Sequence, residues 1–195
     1  MTKLGIFGGT FDPIHNGHLR IADTILDLGE VDRIIFIPSD IPPHKPHQHI
    51  LPFEYRWNMV NLAIAGHSGL AASDMEHQLG GISYTVRTLE ALQKNYPDAH
   101  LFLIIGSDSL LGLPKWKDPE KLIAMSQLIV FPRSNAGVSG AEKRFLEHSR
   151  LLDVPLVSVS SSDIRSRVAQ KLSIKNMVPE KVESYISEHN LYQIR

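Results

Sequence analysis

Two histidines three residues apart, His15 and His18, follow a glycine pair in the segment Gly8-Gly9-Thr10-Phe11-Asp12-Pro13-Ile14-His15-Asn16-Gly17-His18. Apolar residues 3–7 before it read as a strand, and the spacing of Leu19, Ala22, Ile25 and Leu26 predicts a helix over 17–28, so the segment is a strand-to-helix turn. Such a turn presents free backbone N–H groups and the positive end of a helix dipole to an anion. Histidines at i and i+3 face one ligand, and Gly17 between them removes a side chain where backbone must come close. The chemistry that fits is capture of a phosphate, with both imidazoles as donors. Taken alone, Gly8-Gly9 reads as a tight turn and a single histidine as a half-buried helix cap; turn, spacing and helix terminus together favour the phosphate.

Other residues stand where they could serve the same ligand. Arg133 follows the apolar run 128–131, and Gly106 and Asp108 follow the run 101–105, at strand ends where α/β sheets bind ligands. Read locally, Gly106 allows a turn, Asp108 caps a short helix and Arg133 is a surface charge. Val159-Ser160-Ser161-Ser162-Asp163-Ile164-Arg165 reads locally as a serine N-cap with an exposed arginine. Trp116, just after Pro114 and Lys115 and outside any helical stripe, is either a packing anchor or a flat platform for a ring. His44, His47 and His49 lie in the proline-rich stretch 38–49 without zinc-type spacing, with Asp40 the nearby carboxylate, so no protein metal site is expected there.

Positioning such a site needs a scaffold, and the 195 residues, 43% hydrophobic and 21% charged, suffice for one domain spanning 1–195. Strands are expected at 3–7, 33–37, 101–105, 128–131 and 155–159, with a weaker one at 70–75. Helices are expected at 17–28, 53–65, 85–95, 119–125, 141–148, 163–171 and 180–189. The alternation predicts an α/β fold with a doubly wound, mainly parallel sheet and covering helices, closed by a small helical segment over about 163–195. The charges of Arg87, Glu90, Glu142, Lys143 and the last helix read as solvated faces. With no cysteine, thiol catalysis, disulfides and cysteine-held zinc are excluded. A net charge of -1 argues against a broad nucleic-acid surface. The apolar run 101–105 is far short of the ~20 residues of a membrane helix, and no signal-peptide core follows Met1. The expectation is a cytoplasmic protein acting on a small molecule.

Residues 8–18 resemble the signature of the nucleotidyltransferase superfamily, which shares its His-x-Gly-His motif with class I aminoacyl-tRNA synthetases. Residues 159–165 resemble the second motif of the adenylyltransferase branch, Ile-Ser-Ser-Thr-x-Ile-Arg, with Ser162 keeping the threonine hydroxyl and Val159 keeping the strand residue. Pro42-Pro43-His44-Lys45, Ser83-Tyr84-Thr85, and Gly106-Ser107-Asp108-Ser109-Leu110 with Leu113-Pro114-Lys115-Trp116 narrow the resemblance to the bacterial nicotinate-nucleotide adenylyltransferases, over the whole chain. That resemblance implies a Rossmann-like fold and transfer of the adenylyl group of ATP to nicotinate mononucleotide, giving deamido-NAD and pyrophosphate in NAD biosynthesis. It implies Mg²⁺ on the ATP phosphates with no assigned protein ligand, small molecules as partners without nucleic acid or membrane, and room for a homo-oligomer.

For the site, the resemblance implies catalytic roles for His15, His18, Ser162 and Arg165, the last two holding the leaving pyrophosphate. It places Gly8, Gly9, Thr10, Gly106, Asp108 and Arg133 at ATP. It places Lys45, Tyr84, Thr85, Trp116 and Lys117 at the mononucleotide, with the Trp116 ring on the pyridine and the backbone near 84–85 and 116–117 at its carboxylate. The proline-rich loop and the Trp116 segment are expected to close over substrate. A pantetheine-phosphate adenylyltransferase would share the turn and the histidines, but Ser83-Tyr84-Thr85 and Trp116 argue against it. A synthetase would need a Lys-Met-Ser-Lys-Ser loop and room for anticodon recognition, both lacking here. A non-catalytic nucleotide sensor would keep the cradle, and the presence of both histidines weighs against it.

Overall fold

A computed structural model describes residues 1–43, 50–133, 137–154 and 158–193. The chain forms β1 (Lys3–Gly9), α1 (Asn16–Asp27), β2 (Arg33–Pro38), α2 (Phe53–Ile64), β3 (Leu70–Ala72), α3 (Met75–Leu79), α4 (Thr85–Asn95) and β4 (His100–Gly106). It continues through α5 (Ser107–Gly112), α6 (Pro119–Met125), β5 (Gln127–Phe131), α7 (Lys143–Leu146), β6 (Ser149–Leu151), α8 (Ser161–Ala169) and α9 (Glu180–Glu188). The strands pair in parallel in the order β3-β2-β1-β4-β5-β6. Strand order reverses between β1 and β4, so the crevice of a doubly wound sheet opens at the carboxyl ends of these two strands.

Alternation along the strands divides the core between the two faces of the sheet. Phe7, Ile34, Phe36, Ile104, Ile129 and Phe131 face α1, α2, α8 and α9, whose buried residues include Ala22, Ile25, Val60, Ile164, Val182 and Ile186. Leu4, Ile6, Ile35, Ile37, Leu103, Ile105 and Val130 face α4, α5, α6 and α7 through Leu89, Leu92, Leu110, Leu122 and Phe145. The predicted helical segment at the C-terminus therefore packs into the same core as α1 and α2. No helix among the described residues is long and apolar enough to cross a membrane.

The structure departs from several sequence expectations. Among the described residues the sixth strand is β6; of the expected strand 155–159, Pro155, Leu156 and Val157 lie outside the described residues, and Ser158 and Val159 are not in a strand. Ser149–Leu151 escapes a hydrophobicity reading because it is three residues long, largely exposed, and pairs on one side with β5. It also shortens the expected 141–148 helix to Lys143–Leu146. The weak 70–75 strand stops at Ala72, and Met75 starts α3 instead. Arg87 is more than a solvated charge, since its guanidinium donates to the carbonyls of Leu79 and Gly80 at 3.1 Å each and closes the end of α3.

Candidate active site

β1 delivers the chain to Gly9, where a Cβ would lie 2.9 Å from the ring of Phe11. At Gly8 a Cβ would meet nothing within 4 Å and would instead occupy open space in front of the turn. Phe11 is buried with φ +48° and packs edge-on to Phe7 and His18, which folds the turn back on the core. The turn is then held from three sides. Arg56 on α2, 1% exposed, donates to the carbonyls of Thr10 (2.9 Å), Ser39 (2.6 Å), Leu51 (2.9 Å) and Asp40 (3.3 Å). The Tyr192 hydroxyl donates to Asp12 Oδ1 at 2.8 Å, and Asn16 donates from its backbone to Met177 O and from its amide to Asn176 O. Arg165 on α8 donates to the Asp12 carbonyl at 2.8 Å, and Ser161 Oγ donates to the Pro13 carbonyl at 2.9 Å.

His15 is the N-cap residue of α1 and His18 stands in its first turn, so their rings stack with centroids 3.7 Å apart. The His15 backbone N–H donates to His18 Nδ1 at 3.2 Å, which leaves that nitrogen unprotonated and puts the proton on Nε2. His15 Nδ1 is buried without a hydrogen-bond partner among the described residues. Burial, then the positive charge of Arg133, lowers the pKa of His15 to about 4. Burial, then the His15 and Arg133 charges, holds His18 well below the ordinary histidine value. Both rings are therefore neutral at pH 7, each able to donate one N–H without giving up a proton.

The same shifts set a stability profile. A histidine neutral in the folded state but protonated in the unfolded one makes the unfolded state bind more protons, so stability falls as pH drops through the unfolded pKa of 6.5. For His15 the loss grows to about 3 kcal/mol by about pH 4. Urea unfolding at pH 7 and pH 5 should show this fall, and the fall should shrink in His15→Asn; an unchanged difference in the variant would count against a neutral, buried His15.

Two cavities meet over the glycine turn. One, of about 310 Å³, is lined by His15, Gly17, His18, Gly106 and Ser158 to Ser161. The other, of about 600 Å³, is lined by Glu76, Tyr84, Thr85, Thr88, Asp108 and Lys117. Gly8, Gly9, Thr10, Trp116 and Arg133 border both. Arg133 is oriented by its backbone N–H to Ser107 Oγ (3.1 Å) and by an ion pair from Nη1 to Asp108 (3.4 Å).

Of the fifteen residues expected from sequence to bind or react, fourteen are among the described residues. His15, His18 and Gly106 border the smaller cavity; Asp108, Tyr84, Thr85 and Lys117 border the larger; Gly8, Gly9, Thr10, Trp116 and Arg133 border both. Arg165 makes the thirteenth, reaching the turn through Asp12 but not lining a cavity. Ser162 is exposed beside it, its Oγ 3.4 Å from Arg165 Nη2, whereas Ser161 lines the smaller cavity in its place. Lys45 lies outside the described residues, as do His44, His47 and His49.

Sequence reading missed Arg56, Glu76 and Tyr192. Arg56 left a signal, because it occupies the buried stripe of α2 with Phe53, Val60 and Ala63, where only a satisfied charge is tolerated. Glu76 and Tyr192 left none, since each is defined by partners 12 and 180 residues away.

The profile of the cytidylyltransferase-like family matches residues 6–167. A probable nicotinate-nucleotide adenylyltransferase of Clostridium tetani is 40% identical over 99% of this chain and 100% of its own length. One of Geobacter sulfurreducens is 41% identical over 97% and 98%. Among solved structures, the nicotinic acid mononucleotide adenylyltransferase of Plasmodium falciparum complexed with NaAD shares the fold with a TM-score of 0.82 at 22% identity, covering 98% of both chains. Similarity that spans the whole chain at this level includes the turn, both cavities and the C-terminal segment that clamps them, and it places the chain in the nicotinate-nucleotide adenylyltransferase family.

Proposed function

We propose that the two adjoining cavities hold the two substrates of one transfer, the ATP phosphates at the turn and histidines and the mononucleotide at Tyr84, Thr85 and Trp116. The reaction is the family's own: the adenylyl group of ATP passes to nicotinate mononucleotide, giving deamido-NAD and pyrophosphate, a step of NAD biosynthesis. One observation carries the assignment of places, namely that both cavities open on the same Gly8-Gly9-Thr10 turn with Arg133 between them. Two phosphates brought there from opposite sides meet over one set of donors. We place the reaction in the cytoplasm.

In this reading an oxygen of the mononucleotide phosphate attacks the α-phosphorus of ATP in line, forming the new P–O bond as the bond to pyrophosphate breaks. The attacking oxygen is already anionic, so no general base is required and no covalent protein intermediate arises. Catalysis reduces to holding two anions in line and stabilising charge on the phosphate oxygens. Backbone N–H groups of 8–10, His18 Nε2–H and the His15 ring supply neutral donors, and Arg133 supplies the positive charge. At the start of α8, Ser161 lines the smaller cavity and binds the pyrophosphate where Ser162 was expected to, while Arg165 holds the turn through the Asp12 carbonyl. Gly106 and Asp108 hold the nucleoside of ATP.

The donors at the turn, backbone N–H groups, the histidine rings and the Arg133 guanidinium, suit phosphate oxygens. Mg²⁺ brought with the ATP phosphates would neutralise part of their charge.

If Trp116 stacks on the pyridine, Trp116→Ala should raise KM for the mononucleotide about tenfold, the loss of one aromatic platform, and change KM for ATP far less. Equal changes would point to a structural role. The reaction itself is tested by pyrophosphate release from Mg-ATP with nicotinate mononucleotide, its amide and phosphopantetheine supplied separately. Strongest release with the first supports the reading; release with another alone moves the substrate, and silence with all three, with ATP still bound, makes the chain a sensor.

A further inference from the structure

Glu76 on α3 is 7% exposed and stands in the wall of the larger cavity beside Ser83, Tyr84, Thr85 and Thr88. Its Oε1 accepts the Thr88 hydroxyl at 2.9 Å, while Oε2 is buried and has no hydrogen-bond partner among the described residues. A buried carboxylate oxygen without a donor is costly, and nothing in the transfer uses this one. The wall it belongs to is built tightly: Ser83 Oγ accepts the N–H groups of Asp40 (2.9 Å) and Ile41 (3.2 Å), and Ser83 N–H donates to the Ile41 carbonyl (3.0 Å). Glu76 thus adjoins the segment assigned to the pyridine carboxylate, held there through Oε1 by the Thr88 hydroxyl.

We propose that Glu76 is a specificity-determining residue whose charge selects between the acid and the amide mononucleotide. As a neutral carboxyl it tolerates a ligand carboxylate at Tyr84–Thr85; as a carboxylate it opposes one. The inference rests on the reading that the larger cavity takes the pyridine mononucleotide.

The surroundings of Glu76 shift it towards its neutral form. Burial is the largest influence and raises its pKa, the Ser83 and Thr88 hydroxyls act the other way, and the Asp40 charge raises it while the Arg56 charge on α2 lowers it. From its own helix His77 faces Asp40, at 3.0 Å, and from α4 the Arg87 guanidinium is taken up by the Leu79 and Gly80 carbonyls. Binding of the acid draws a proton onto Glu76, and binding of the uncharged amide does not. Raising the pH ionises Glu76 in the free protein, so the acid weakens while the amide is unaffected. Titrations common to both substrates, those of ATP, the ligand phosphate and the histidines, cancel in the ratio of the two.

The test is the acid-to-amide ratio of kcat/KM with saturating Mg-ATP from pH 6 to 9, in the full chain and in Glu76→Gln and Glu76→Asp. In the unaltered protein the ratio should fall with pH, approaching tenfold per unit above the pKa of Glu76. It should be flat in Glu76→Gln, which keeps its acid preference at pH 9, and should still fall in Glu76→Asp. A purely structural Glu76 would lower the thermal midpoint of the variants and leave the slope alone. A flat ratio in the unaltered protein overturns the proposal, even if neither variant folds; so does a folded Glu76→Gln with the original slope. No pyrophosphate from either mononucleotide at any pH defeats the substrate reading itself, and the proposal with it.

Discussion

Replacing His18 with asparagine should lower kcat by ~10²-fold or more while the protein stays folded, the usual consequence of removing one preorganised transition-state donor. The asparagine carbonyl can take over from Nδ1 the N–H of His15 and so preserve the start of α1, but it puts no donor where Nε2–H stood. Glutamine, whose amide reaches further, should restore part of the rate. His18→Ala should be as slow and also less stable, because it abandons the His15 N–H and the edge contacts with Phe7 and Phe11. Since the ring is neutral at working pH, the rate of the transfer step should not track histidine ionisation between pH 6 and 8. Full turnover in folded His18→Asn would remove His18 from the reaction.

Arg56→Ala should be the most damaging change away from the reacting atoms, costing on the order of 3–5 kcal/mol, about 10 °C in Tm for a chain of this size. One buried guanidinium satisfies carbonyls from three separate, partly buried stretches, 10, 39–40 and 51, and its loss leaves them without that donor. Arg56→Lys keeps the charge, but one ammonium cannot reach all four oxygens, so most of the loss should remain. Because Thr10 borders both cavities and Ser39 borders the larger, KM should rise for both substrates in a folded Arg56→Lys. A cost below about 1 kcal/mol, read from urea midpoints, would show that water or neighbouring groups replace the guanidinium.

The two histidines illustrate what sequence carries. Their spacing, the glycines before them and the apolar stripe of α1 are local properties, so the turn and its helix were legible from residues 8–26 alone. The strongly apolar strands β1, β2, β4 and β5 were legible for the same reason, since a run buried on both faces has few alternatives. β6 was not, because an exposed edge strand of three residues is specified by its neighbour and not by its own pattern.

Within the site the division is similar. The residue types and the strand ends that carry them pointed to a phosphate-binding turn at the carboxyl edge of a parallel sheet, and the motifs together named the family. Only the tertiary structure decided that two cavities share one turn, that Arg56, Tyr192 and Arg165 clamp that turn from α2, the C-terminus and α8, and that both histidines are neutral. It also decided that Glu76 stands in the wall of the larger cavity beside Tyr84 and Thr85, with one carboxylate oxygen lacking a hydrogen-bond partner among the described residues. The physical reason is one of range. Turn geometry and hydrophobic period act over a few residues, whereas burial, desolvation and a donor's choice of carbonyl depend on groups that meet only after the sheet has closed.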